Sequence, residues 1–366
     1  MDFSKYFQML DELVKINGAQ KSNFMYSPAS LYSALQAAAY GADGNTREEI
    51  INLIGEKKYD LNSEAVNTWN FFVVNHKKGR KAEIRTEYAE LLKTDRAIRA
   101  TAYELTEDND SKLAEVINSR CKEATNGQIT NAVSPDDFQD ISPVDKFTAL
   151  LGNVLHFKGK WQGNCGLISD FTFTGADGKE KMVNAVDMGI ACPGYCSNKS
   201  MEAFYASYIE DDWRYTFWGF LPRNAEAYDV DSLDFSNLRG PKENYTMSVS
   251  IPKFQIQSRM NMKEALNHFG VRDAFDHQTA DFSKGFWFSP LGNVYLNSIR
   301  QQTIIDFNET GTEASSCIRL RAFWTTGGTI LGFKLNFDRP FYFMILDEVE
   351  KLPLFVGQVF EPVYEK

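Results

Sequence analysis

Cysteine is scarce in this chain, with five in 366 residues (Cys121, Cys165, Cys192, Cys196 and Cys317). The number is odd and the spacing wide, which excludes a disulfide scaffold. Cys192 and Cys196 form the one close pair, and no second Cys/His pair stands at zinc spacing. Proline is also sparse at 11, against 24 glycines, so neither a collagen-like nor a proline-rich disordered chain is in view. Basic charge is in the minority: 39 Lys and Arg against 49 Asp and Glu leave a net −10, which opposes general attraction to nucleic acid or to an anionic membrane. The uncharged stretch 22–42 carries Pro28, four serines and Gln36, a poor composition for a membrane span. The first residues are acidic and amphipathic, with none of the basic-then-apolar character of a signal peptide. Both an extracellular and a cytoplasmic setting stay open. Sequons at Asn109, Asn198, Asn244 and Asn308 are too common in such a composition to decide it.

Catalytic signatures are missing as well. None of the four histidines (His76, His156, His268, His277) stands in HExxH, and no GxSxG elbow supplies a nucleophilic serine. The run Gly175 to Glu180 has the wrong spacing for a phosphate loop and reads as a hairpin turn. Gly327-Gly328 to Gly332 lacks the flanking strand and helix of a nucleotide fingerprint. An intrinsic hydrolase therefore has no motif behind it, and no metal or cofactor is expected. One local cluster, His76-Lys77-Lys78-Gly79-Arg80-Lys81, is basic. It reads either as a site for a heparin-like polyanion or, with Glu83 and Glu87 interspersed, as a solvated turn; the second is preferred.

What is present is material for a large core: 43% hydrophobic residues, among them 28 Phe. Phe3, Phe7, Leu10, Leu13 and Val14 recur at helical spacing, and a helix is expected over 30–40, opened by Ser27-Pro28. Another is expected over 113–125, ended by Asn126-Gly127, and one over 261–269. Strand signals dominate from about 147: 147–157, 215–221, 247–257, 293–308, 335–346 and 352–360. Helices early and strands late, with no repeat and no linker, predict an α+β chain in a single domain over 1–366.

One segment breaks this pattern. From 312 the even positions read Thr312, Ala314, Ser316, Ile318, Leu320, Ala322, and the odd ones Glu313, Ser315, Cys317, Arg319, Arg321. That is the alternation of an amphipathic strand, yet it opens with Gly311 and small residues and runs into the loop-forming Thr325-Thr326-Gly327-Gly328. A permanent strand ending in a hairpin and a conditional one, loop in one state and strand in another, fit equally well.

Eight short blocks in order bear on that choice: Asn23 to Ser30, Gly41 to Thr46, Thr125 to Ile129, Asn153 to Trp161, Ile251 to Phe254, Asn308 to Ala314, Asp338 to Phe341 and Leu354 to Val359. Together they resemble the serpin family of serine protease inhibitors from Phe3 to about Pro362. The resemblance implies three β-sheets with about eight or nine helices in one metastable domain, and an exposed reactive-centre loop over about 310–333. It implies a monomeric inhibitor that acts once, as a suicide substrate of a chymotrypsin-fold protease. The cleaved loop would enter the central sheet as a new strand, from the hinge Gly311, Thr312, Glu313, Ala314, Ser315, Ser316 and Cys317. The small Thr312, Ala314 and Ser316 suit the face to be buried, and neither proline nor an inward charge blocks entry from Gly311 to Ala322.

Family spacing puts the reactive bond at Thr325-Thr326, which implies an elastase-like target. Cleavage after Phe323 or Trp324 would imply a chymotrypsin- or cathepsin-G-like one, and Arg321 a trypsin-like enzyme that treats the chain as substrate. The resemblance also places Lys253, Glu309 and Trp161 at the breach where the loop enters. Ser27, Ser30, Asn153 and Gln301 fall in the shutter lower in the sheet. Gln301 stands where the family usually has histidine, so this cluster lacks a group titrating near neutral pH. A non-inhibitory, binding or chaperone-like serpin and a cross-class inhibitor of cysteine proteases are the alternatives.

Overall fold

The apolar repeat at the start folds as a helix, Ser4–Ile16, which buries Tyr6, Phe7, Leu10, Leu13 and Val14. This is seen in a computed structural model that describes residues 2–61, 63–75, 82–106, 109–138, 149–163, 165–189, 194–209, 211–224, 230–240, 245–288, 294–312 and 331–364. Pro28, whose missing N–H costs nothing in a first turn, opens helix Pro28–Gly41. Helix Asp110–Ala124 stops where Asn126 and Gly127 turn left-handed (φ 51° and 87°) and the Gly127 N–H returns to Lys122 O at 2.7 Å. With Gly44–Ile54, Thr86–Thr94 and Lys263–His268 there are six α-helices among the described residues, fewer than the eight or nine expected. The α+β class holds.

The chain divides into two compact units. The first comprises Met1–Pro28, Phe157–Gln257 and Ile304–Lys366. It holds a six-stranded sheet in the order Phe24–Tyr26, Leu352–Val359, Phe341–Asp347, Tyr215–Pro222, Met201–Ser207 and Gly194–Ser197. Its strands Leu352–Val359, Phe341–Asp347 and Tyr215–Pro222 are buried at every residue, which is why they read as unbroken apolar runs rather than alternations. A four-stranded sheet runs Leu331–Asn336, Tyr245–Pro252, Glu180–Asp187 and Gly166–Thr174. The last two strands are joined by the hairpin turn expected at 175–180, with Gly178 at φ 77°.

The second unit comprises Ala29–His156 and Ser258–Thr303. Here strands Ala100–Leu105 and Val66–Asn75 lie side by side with Ala149–Phe157 up to His156 and Leu296–Asn308 up to Thr303. The first two pair in parallel, as do the last two. Leu113, Ile117 and Cys121 of helix Asp110–Ala124 pack with Phe71, Val73, Leu150 and Val154 of the strands into one core. Gly152 is required there: a Cβ at that position would come within 2.1 Å of the Phe71 ring. A two-stranded sheet, Phe286–Phe288 with Ala82–Ile84, is additional to the three sheets expected.

Two expected strands prove to be pairs. The stretch 247–257 splits at Lys253 into Tyr245–Pro252 and Phe254–Asn261, because Pro252 has no N–H to continue a ladder. The stretch 335–346 splits into Leu331–Asn336 and Phe341–Asp347 around Asp338-Arg339-Pro340, where Pro340 fixes φ.

Candidate functional site

Strand Leu296–Asn308 ends in a tight turn built by its own last side chain. Asn308 Oδ1 accepts the Thr310 N–H at 2.9 Å and the Thr310 hydroxyl at 2.5 Å, an Asx-type turn. The chain doubles back at once. Thr312 pairs with Phe307 on one side and with Gly159 of Gly159–Lys160 on the other. Gly311 makes the close approach possible: it sits at φ 146°, and a Cβ on it would lie 2.0 Å from Gly159 O. Asn308, one of the sequon asparagines, is buried and spends its side chain on this turn.

Aromatic rings and one ion pair surround the turn. Trp161 is buried, donates Nε1–H to Asn308 O at 2.9 Å, and stacks on Tyr208 with ring centroids 4.5 Å apart. The Tyr208 hydroxyl shares a 2.7 Å hydrogen bond with Thr312 Oγ1, both residues being buried. Lys253 sits at the break after Pro252, with its N–H held by Asn184 O at 2.8 Å. Its Nζ is 2.8 Å from Glu309 Oε2. Partial burial works against the charged form of Glu309. The hydrogen bond from Lys253, the carboxylate's own backbone N–H and the lysine charge outweigh that and hold the carboxyl below its ordinary range. The structure thus brings Lys253, Glu309 and Trp161 around the start of the segment that the sequence singled out. Tyr208 and Thr310 were missed. The Asn-Glu-Thr-Gly order was a readable turn signal, whereas nothing in the sequence pointed to Tyr208.

The second group of expected residues lies along Ala149–Phe157. Asn153 accepts a hydrogen bond from Ser30 Oγ and donates Nδ2–H to Asn70 Oδ1 and, at 3.4 Å, to Thr68 Oγ1. Asn70 in turn donates to Ser33 Oγ at 2.7 Å and to Ile98 O, and Ser33 donates to Ala97 O at 3.0 Å. All of these side chains are buried, so the amides and hydroxyls satisfy one another where water does not reach. Gln301 is buried and stands directly opposite Asn153 in the parallel pair. Ser27 is buried as well. Asn70, Ser33 and Thr68 had not been foreseen; a lone asparagine inside the aromatic run Trp69 to Phe72 was the available signal.

The same parallel pair carries a topological fact. Strands Ala149–Phe157 and Leu296–Asn308 are hydrogen-bonded directly, from Leu296 opposite Ala149 to Thr303 opposite Leu155. No strand stands between them there. Of the remaining expected residues, Glu313, Ala314, Ser315, Ser316 and Cys317 of the hinge, and Arg321, Phe323, Trp324, Thr325 and Thr326 about the reactive bond, lie outside the described residues. So does the basic cluster 76–81.

A family model described as Serpin (serine protease inhibitor) matches residues 4–362. A serine protease inhibitor of Cyanea capillata is 27% identical, over 95% of this chain and 94% of its own. Among solved structures, Serpin48, a highly specific serpin of the insect Tenebrio molitor, superimposes with a TM-score of 0.76 at 21% identity, covering 99% of this chain and 100% of its own. Human thyroxine-binding globulin, complexed with thyroxine, does so with a TM-score of 0.77 at 17% identity, covering 97% of each chain. At such identities the structural likeness speaks for the fold alone.

Proposed function

The chain belongs to the serpin (serine protease inhibitor) family, and from that premise we propose that it traps a chymotrypsin-fold serine protease as a suicide substrate. Members of this family are mostly protease inhibitors rather than enzymes, so a protease is the partner that membership implies. The protease attacks the loop beyond Thr312 and becomes an acyl-enzyme. The freed hinge then enters between Ala149–Phe157 and Leu296–Asn308, carrying the protease with it before deacylation.

The observation that carries this reading is the arrangement of the two strands. They are paired directly up to Leu155 and Thr303, while Gly311 and Thr312 already occupy a place between Phe307 and Gly159. Insertion therefore begins from a seated residue. It breaks one ladder and makes two, a net gain of one hydrogen-bonded strand, at about 0.5–1.5 kcal/mol per bond. The small side chains of Thr312, Ala314 and Ser316 let the sheet accept it without overpacking.

The target we favour has an elastase-like pocket, for cleavage between Thr325 and Thr326, and no polyanion cofactor. Incubation with trypsin, chymotrypsin, elastase and cathepsin G tests this. The expected result is an SDS-stable complex with one of the last three, a released C-terminal peptide whose mass starts at Thr326, and a rate indifferent to heparin. Clean cleavage without any covalent complex refutes inhibition.

A further inference from the structure

Beyond its last strand, Leu352–Val359, the chain does not trail away. The N–H groups of Phe360 and Glu361 donate to Asn23 Oδ1 at 2.8 and 3.0 Å, and Asn23 Nδ2–H returns to Glu361 O at 2.6 Å. Lys181 pairs with the Glu361 carboxylate, Pro362 is buried, and the Gln255 N–H donates to Val363 O at 2.8 Å. Gln255 is two residues past Lys253. This tether sets the ring of Tyr364 with its centroid 4.2 Å from Lys253 Nζ. The ammonium that faces Glu309 at 2.8 Å on one side thus faces an aromatic ring on another, and only 11% of the lysine side chain is exposed.

We propose that Tyr364 is a positioning residue for loop entry: through Lys253 it holds the ion pair with Glu309 closed and delays spontaneous insertion of the intact loop. The physical reason is twofold. The ring attracts the ammonium by its quadrupole, and it covers the lysine end of the ion pair, 11% exposed against 32% for Glu309, so the Lys253–Glu309 attraction is less screened there. Glu309 directly follows Asn308, whose side chain makes the turn that seats Thr312, so whatever steadies Glu309 steadies the entry point. A cation–π contact of this kind is worth between about two- and thirtyfold in an equilibrium. The inference rests on the inhibitor reading above.

The test compares wild type with Tyr364→Leu and Tyr364→Phe, alone and in a Lys253→Met background. The readouts are the rate at which uncleaved protein converts on warming to a heat-resistant, non-inhibitory form, and the number of inhibitor molecules consumed per protease. Tyr364→Leu should speed conversion between about two- and thirtyfold, Tyr364→Phe should behave as wild type because the ring remains, and Leu should have no effect once Lys253 is Met. Should Tyr364→Leu fail to fold, Tyr364→Met replaces it with the same expectation. Wild-type conversion rates in the Leu or Met variant overturn the proposal, and so does an equal acceleration in the Lys253→Met background, which marks simple tail packing. If wild-type protein gains no heat resistance when its loop is cut, the inhibitor reading falls and this proposal with it. A normal gain on cutting, combined with an inert Tyr364, overturns this proposal alone.

Discussion

Replacing Asn153 with alanine removes the centre of the buried polar network. Its carbonyl receives the Ser30 hydroxyl, and its amide supplies Asn70 Oδ1 and Thr68 Oγ1. All four residues are buried, so water does not stand in for what is lost. A buried acceptor stripped of its donor costs about 1–3 kcal/mol. With the Asn70 carbonyl in that position, and the volume of the deleted amide left unfilled, the total comes to about 2–5 kcal/mol. Unfolding entropy of about 2.1 cal/mol/K per residue gives this 366-residue chain about 0.8 kcal/mol per kelvin. The melting temperature of the intact protein should therefore drop by about 3–6 °C. The assay is a circular dichroism melt at one fixed scan rate, since on the inhibitor reading the chain melts partly under kinetic control. Because Asn153 stands opposite Gln301 in the pair that a new strand must part, the variant should also convert to the inserted form faster than wild type. A shift below about 1 °C with an unchanged conversion rate would refute the reasoning, because it would mean that the network does not hold the two strands together.

The Lys253–Glu309 pair makes a pH prediction with a definite sign. Glu309 is held below its ordinary value of 4.5, so the stability it contributes is fully present above that pH and is lost as pH falls through the lowered value. Melts of wild type and Glu309→Gln should differ at pH 6 and draw together as the pH is taken down below 4.5; a gap unchanged by acidification contradicts the ion-pair account. In the six-stranded sheet, Arg214 donates to Asp347 Oδ2 at 2.9 and 2.7 Å, and the Asp347 side chain is fully buried. Arg214→Met strands that carboxylate and should cost about 3–5 kcal/mol, measured by denaturant unfolding, with partial recovery on adding Asp347→Asn. An unaltered midpoint would show that the backbone N–H groups of Val349 and Glu350, each 3.0 Å from Asp347 Oδ1, suffice alone.

Legibility in the sequence followed the range of the forces involved. Helix Ser4–Ile16 announced itself through its apolar spacing, and the hairpin at 175–180 through its glycines. The break at Pro252-Lys253 was harder, because apolar residues flank it on both sides and the run looks continuous. Only the missing N–H of Pro252, weighed as a ladder-breaker, separates the two strands that belong to different sheets. At the candidate site, Lys253, Glu309, Trp161, Ser30 and Asn153 came from family resemblance, not from spacing. Asn70 was passed over because one polar residue in an apolar strand signals little without knowing what lies across from it. Tyr208 and Tyr364 carry no local signal: each matters through a contact with a residue about a hundred positions away, with Thr312 and Lys253 respectively.

The central claim is that the intact chain is held short of its most stable arrangement, and severing the loop tests it most directly. Intact protein should be nicked by a protease between 321 and 329, purified, and melted beside the uncut form. An inserted strand of about eight residues adds one ladder at about 1 kcal/mol per residue, which at about 0.8 kcal/mol per kelvin predicts a gain of about 10 °C. Cut protein that melts at the temperature of the uncut chain would contradict the account.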